Sequence, residues 1–169
     1  LISNEIHPAR AKILSRNVER MGISNAIVTN EEAERLADAF PAFFDRILVD
    51  APCSGEGMFR KEEEAVKEWS PQNVQRCAAR QRTLLRFAAS MLKPGGRIVY
   101  STCTFAPEEN EGTILDFLSA NPDFSVVRAP EREGFSRGAP EWGGSLPHGP
   151  AEKDASLSLR ETIRIWPHR

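Results

Sequence analysis

Two short apolar runs, each broken by a loop that carries a cysteine, constrain this chain more than any other feature. The first is Arg46-Ile-Leu-Val-Asp50, which passes into Ala51-Pro-Cys-Ser-Gly-Glu-Gly57; the second is Arg97-Ile-Val-Tyr-Ser-Thr102, which passes into Cys103-Thr104. An unalternating Ile-Leu-Val run is the pattern of a strand buried on both faces of a parallel sheet. Both runs therefore read as strands that deliver a thiol just past their carboxyl ends. In an open α/β sheet that edge is where ligands and chemistry collect.

The segments around them alternate in the same sense. Leu1 to Glu5 reads as a strand, and His7-Pro8 opens a helix whose Ile13, Leu14, Val18 and Met21 recur at helical spacing until Gly22 stops it. Ala26 to Thr29 reads as a second strand, and Asn30 to Ala39 as a helical turn or two. After the first cysteine loop, Lys61 to Trp69 is a short charged helix. Ser70-Pro71 then caps the longest one, which runs to about Leu92 with Val74, Cys77, Ala78, Leu84, Leu85, Ala88, Met91 and Leu92 on one stripe. Lys93-Pro-Gly-Gly96 predicts a turn, Pro107 to Leu118 a helix ended by Asn121-Pro122, and Phe124 to Val127 and Thr162 to Trp166 two further strands. Strand and helix in alternation predict an α/β fold of the doubly wound kind. The Gly- and Pro-rich stretch at about 130–158 predicts an insertion or surface loop.

With 169 residues, 40% of them hydrophobic, the chain suffices for one domain, 1–169. The formal net charge of -2 argues against holding nucleic acid by charge alone. Cys53, Cys77 and Cys103 are neither closely spaced nor joined by a His cluster, so no metal site is expected. Without a leader-like or membrane-length apolar run, the expected setting is the reducing cytoplasm, with no membrane partner and a monomeric chain. The start at Leu1 and the stop beyond Trp166, flush against strand-like runs, predict an internal piece of a longer protein.

Three readings of the cysteine loops fail. Cys53 and Arg60 are one residue too far apart for a phosphatase-type Cys loop, and Glu56 would place a carboxylate in a phosphate nest. Gly55-Glu-Gly57 lacks the third glycine of a dinucleotide fingerprint. Pro94-Gly95-Gly96 precedes a strand instead of following one. What survives is a thiolate nucleophile near a carboxylate. Carbon 5 of cytosine becomes nucleophilic once a thiolate adds to carbon 6, and a carboxyl group at N3 offsets the charge that builds up.

Asp50-Ala-Pro-Cys-Ser-Gly-Glu-Gly57, Tyr100-Ser-Thr-Cys-Thr104 and Glu108-Glu-Asn110 together resemble the RNA cytosine-5 methyltransferases of the Sun/Fmu (NOL/NOP/Sun) group, in particular the bacterial ribosomal-RNA members. The resemblance covers nearly the whole chain. It implies a Rossmann-like fold, S-adenosylmethionine as cofactor and RNA, foremost ribosomal RNA, as partner. On this chain the family's nucleophile falls on Cys103 and its product-releasing cysteine on Cys53. Asp50 matches the acidic residue that meets cofactor and base, and Pro52 shapes the same loop. Glu5 matches the residue that binds the cofactor ribose, and Glu32 falls where the family carries an acid near the adenine. The resemblance further implies that the fold is incomplete here. Its first strand with a Gly-rich loop and its last strand would be missing, so the piece alone should bind cofactor poorly and lack activity. Methylation of transfer RNA and a non-catalytic RNA-binding remnant remain as alternatives. Cys77 reads as a core thiol, Arg76, Arg80, Arg82 and Arg86 as a solvated face, with contact to RNA phosphates the alternative, and Trp69, Trp142 and Trp166 as packing residues, with base stacking the alternative.

Overall fold

The computed structural model describes residues 1–143 and 158–166. The chain divides into two compact units, Leu1–Ile47 with Phe87–Arg97 and Leu48–Arg86 with Ile98–Arg169.

In the first unit, β1 (Ile2–Asn4) pairs in parallel with β2 (Ile27–Thr29), Ile2 opposite Ile27 and Asn4 opposite Thr29. A parallel pair needs a crossover, and α1 (Pro8–Arg20) supplies it. The helix starts where the sequence asks it to: His7 is extended, Pro8 holds the first turn, and Gly22 takes a left-handed φ of 66° after the last. Its inward stripe is narrower than the spacing predicts. Ala11 is buried and Leu14 and Val18 half-buried, while Ile13 and Met21 face solvent. A two-stranded patch is too small to cover a fourth position. The predicted turns after β2 form α2 (Ala33–Ala39).

The strand predicted at Arg46 to Asp50 is β3 (Phe44–Asp50), and it pairs with β4 (Leu92–Ser101). The two advance together, from the bond of Phe43 N–H to Met91 O to that of Ala51 N–H to Ser101 O, both 2.9 Å. The expectation of burial on both faces is not met. From Arg46 to Asp50 the side chains of β3 alternate in exposure, and Leu48 is 70% and Val99 51% exposed. Side chains of a strand point alternately to opposite faces, and the described residues cover only one of them. The turn predicted at Lys93–Gly96 is also revised, because those residues belong to β4. A left-handed Gly95, φ 77°, remains as the bend.

Between β3 and β4 lie α3 (Glu63–Glu68) and α4 (Pro71–Met91). Ser70 Oγ accepts the Asn73 N–H at 3.1 Å, the cap that the sequence predicts. The core stripe of α4 is Val74, Ala78, Gln81, Leu85, Ala88 and Met91, with Cys77 only half-buried. Arg82 pairs with Asp116, so the predicted arginine face is partly tied down. The helix expected from Pro107 starts later, as α5 (Glu111–Ala120). Pro107 to Asn110 form a turn instead, closed by Gly112 N–H on Pro107 O at 2.8 Å.

Phe124 to Val127 is not a strand; Phe124 sets its ring edge-on against Phe117 at 5.0 Å. Its place is taken by β5 (Phe135–Arg137), antiparallel to β6 (Ile163–Ile165) with Ser136 opposite Arg164. β5 and the short α6 (Pro140–Gly143) lie inside the stretch expected to be a loop, and residues 144–157 of that stretch lie outside the described residues. No helix among the described residues is long and apolar enough to cross a membrane.

Candidate active site

Strand ends build the site in the second unit. β3 stops at Asp50 and β4 at Ser101, and the bond between Ala51 N–H and Ser101 O holds their exits side by side. Cys53 and Cys103, 50 residues apart in the chain, meet with sulfurs 3.1 Å apart. Cys103 is exposed and Cys53 half-buried. Burial, reinforced by the neighbouring Cys103 sulfur, pushes the Cys53 thiol up to about 12, so it keeps its proton near neutrality. Asp50 and Pro52 lie exposed in the same loop.

Two carboxylates cross between the loops. Glu56, on the Cys53 loop, accepts Phe105 N–H at 2.9 Å and Thr104 Oγ1–H at 3.1 Å through Oε2, and Trp69 Nε1–H at 3.0 Å through Oε1. Glu109, which follows Cys103, accepts the Ser54 N–H at 3.0 Å and Gln81 Nε2–H at 2.8 Å. The same Gln81 amide donates to Pro52 O at 3.0 Å, and Ser54 and Thr104 hydroxyls meet at 2.9 Å. Each cysteine is thus flanked by a residue gripped from the opposite loop. Glu109 is fully buried, and desolvation raises its carboxyl above the ordinary range against the pull of these donors. The loops also touch through backbone. Gly57 N–H donates to Cys103 O at 2.7 Å, so close that a Cβ at position 57 would lie 2.5 Å from that oxygen.

Sequence reasoning placed Cys53, Cys103, Asp50 and Pro52 together and missed the residues that hold them. One signal for Gln81 was present: a polar residue standing in register with Val74, Ala78, Leu85 and Ala88 on a buried stripe must have a partner.

Glu5 and Glu32 belong to the other unit. Glu5 follows β1; its Oε1 accepts His7 N–H and its Oε2 pairs with Arg10, both at 2.9 Å. Asn30, just past β2, donates to Glu5 O at 2.7 Å and Ile6 O at 2.8 Å. Glu32 is exposed before the first turn of α2 and makes no capping bond. Among the described residues no cluster of His, Cys, Asp or Glu could hold a metal ion.

Arranged this way, the second unit can form and break a covalent bond at an exposed sulfur beside a second, protonated one. Residues 1–169 match the family described as 16S rRNA methyltransferase RsmB/F. Ribosomal RNA small subunit methyltransferase F of Escherichia coli K12 is 46% identical over 123 residues, which are 73% of this chain and 26% of the relative. The chain thus spans about a quarter of the curated relatives it matches. Among solved structures, NSun6 from Pyrococcus horikoshii with SFG superposes at a TM-score of 0.62 with 28% identity, covering 80% of this chain and 31% of that one. A methyltransferase homolog from the same organism gives 0.66 with 25% identity, covering 98% and 53%. These neighbours share the α/β architecture.

Proposed function

Because this chain belongs to the 16S rRNA methyltransferase RsmB/F family, we propose that the full protein methylates carbon 5 of a cytosine in small-subunit ribosomal RNA through a covalent bond from Cys103 to carbon 6. The observation that carries this is the 3.1 Å approach of the Cys53 and Cys103 sulfurs at neighbouring strand ends. With ribosomal RNA as substrate the activity is cytoplasmic. One chain supplies both thiols, so a monomer suffices.

A cytosine must leave its helix to reach the exposed Cys103. The Cys103 thiolate bonds carbon 6 and the ring's electron pair moves toward N3, which takes a proton from the Asp50 carboxyl and returns it when the adduct collapses. Carbon 5 is then nucleophilic, and S-adenosylmethionine supplies the methyl group that it takes up. Release requires loss of the carbon 5 proton to a water molecule, re-formation of the ring double bond from that C–H electron pair and departure of the Cys103 sulfur as thiolate. With its thiol held up to about 12, Cys53 acts on that sulfur as a hydrogen-bond donor across 3.1 Å, easing its departure.

Glu5 fits the cofactor ribose. Its carboxylate stands at the carboxyl end of β1, and its ion-pair partner Arg10 is exposed enough to turn away. Glu32 fits the adenine side less well, since it stands free of β2 in an exposed cap position. The neighbour solved with SFG, an analogue of S-adenosylmethionine, supports that molecule as the cofactor.

The test uses the full-length protein with methyl-labelled cofactor on small-subunit ribosomal RNA and on transfer RNA. Label on a ribosomal cytosine is expected, and label confined to transfer RNA would overturn the substrate. Ribosomal RNA containing 5-azacytidine should trap a covalent complex that Cys103→Ala abolishes. A protein that binds RNA yet traps nothing would be a non-catalytic binder.

A further inference from the structure

The second unit holds an aromatic recess that the proposed chemistry does not use. Phe105 and Trp166 stack with centroids 5.2 Å apart and planes 21° apart, and Trp142 meets Trp166 edge-on at 6.3 Å. With Pro107 they line a cavity of about 440 Å³. Behind them Arg164 is buried. Its guanidinium lies 4.6 Å from the Trp142 ring and 5.5 Å from Trp166, it is ion-paired to the buried Glu111, and its Nη1 donates to Phe105 O at 3.1 Å. The cation is therefore spent on holding the rings, and the recess presents flat apolar faces.

We propose that Phe105, Trp142 and Trp166 form a stacking subsite for an unpaired nucleobase flanking the cytosine that reacts at Cys103; this rests on the RNA methyltransferase reading above. Three observations favour that occupant. Phe105 lies two residues beyond Cys103, roughly 7 Å of chain at most, and its N–H is clamped by Glu56 at 2.9 Å, so the recess is fixed to the catalytic loop. Extruding one base strips its neighbour of a stacking partner, and aromatic side chains replace such a partner on any base, since every base has a π face. Finally, Trp142 remains 37% exposed although Arg164 holds its ring in place, an arrangement suited to an incoming planar group.

The experiment uses the full-length protein and an oligoribonucleotide spanning the target cytosine, mapped first by the 5-azacytidine trap, with 2-aminopurine placed on either side in turn. Fluorescence should be quenched on binding at one of the two positions. Trp142→Ala should lose that quench and raise KM about tenfold with kcat little changed, and Trp142→Phe should restore both. Saturating 5-azacytidine RNA should still be trapped by Trp142→Ala, which separates the subsite from the chemistry. Trapping with an unchanged quench and KM overturns the subsite, whereas no trapping in the unaltered protein overturns the reading beneath it. Should Trp142→Ala fail to fold, an abasic nucleotide at the quenched position must raise KM similarly with the unaltered protein. An unchanged KM there overturns the subsite as well.

Discussion

The loops after β3 and β4 each carry a cysteine within three residues of the strand end, yet they place it in opposite surroundings. Cys103 opens to solvent, while Cys53 is drawn under cover by Gln81 on Pro52 O and by Glu109 on Ser54 N–H. Identical side chains thereby acquire different chemistry. One sulfur can meet a base, and the other, held up to about 12, retains its proton. On the proposed mechanism, desolvation and not residue type separates the nucleophile from its helper.

The sharpest way to break that contrast is to delete each thiol. Cys103→Ala should end methyl transfer, a loss of at least about a thousandfold. Cys53→Ala should leave bond formation intact and slow release roughly hundredfold. Gel analysis should then show a methylated RNA–protein adduct accumulating on ordinary RNA. No adduct in Cys53→Ala would mean that the two sulfurs do not divide the work.

Next in size is Gly57→Ala, which keeps both thiols and disturbs only their spacing. Its Cβ would collide with the Cys103 carbonyl at 2.5 Å, so the loops must part. A drop in kcat of about tenfold to a hundredfold is expected, with thermal denaturation reporting whether the fold persists. Unaltered kcat would show that the registration of the loops is unimportant.

The smallest effect concerns the clasp beneath Cys53. Glu109 has a raised pKa in the fold, so the folded state binds that proton more tightly than the unfolded chain does. Its stabilising contribution is complete below the unfolded carboxylate value of about 4.5 and is lost as pH rises through the folded value. The Tm of the unaltered protein should therefore decline by a few degrees across that window relative to Glu109→Gln, which cannot titrate. Parallel Tm curves for the two would remove the buried carboxylate from the account.

Much of the fold was legible because its signals are local. His7-Pro8, Gly22 and Ser70-Pro71 begin or end helices through bonds spanning a turn, and α1 and α4 start where those residues say. Apolar runs gave β3 and β4 in the same way. The misreadings fall where a longer-range partner decides. Phe124 to Val127 looks like a strand but finds no ladder, whereas Phe135 to Arg137, inside a Gly- and Pro-rich stretch, gains one from β6. Trp142 and Trp166 read as packing residues, and they do pack, but only the fold shows their partners: Trp166, just after β6, stacks on Phe105 and meets Trp142 edge-on.

By itself the sequence determined that two thiols and a carboxylate would sit at or just past strand ends, because strand exits and turn residues act over a few bonds. Only the tertiary structure decided that Cys53 keeps its proton and which residues clamp the loops. Those outcomes depend on partners such as Glu109 for Ser54, 55 residues away, and on the water excluded when such partners close. Desolvation sums over everything that surrounds a group, and no local stretch of chain contains that sum.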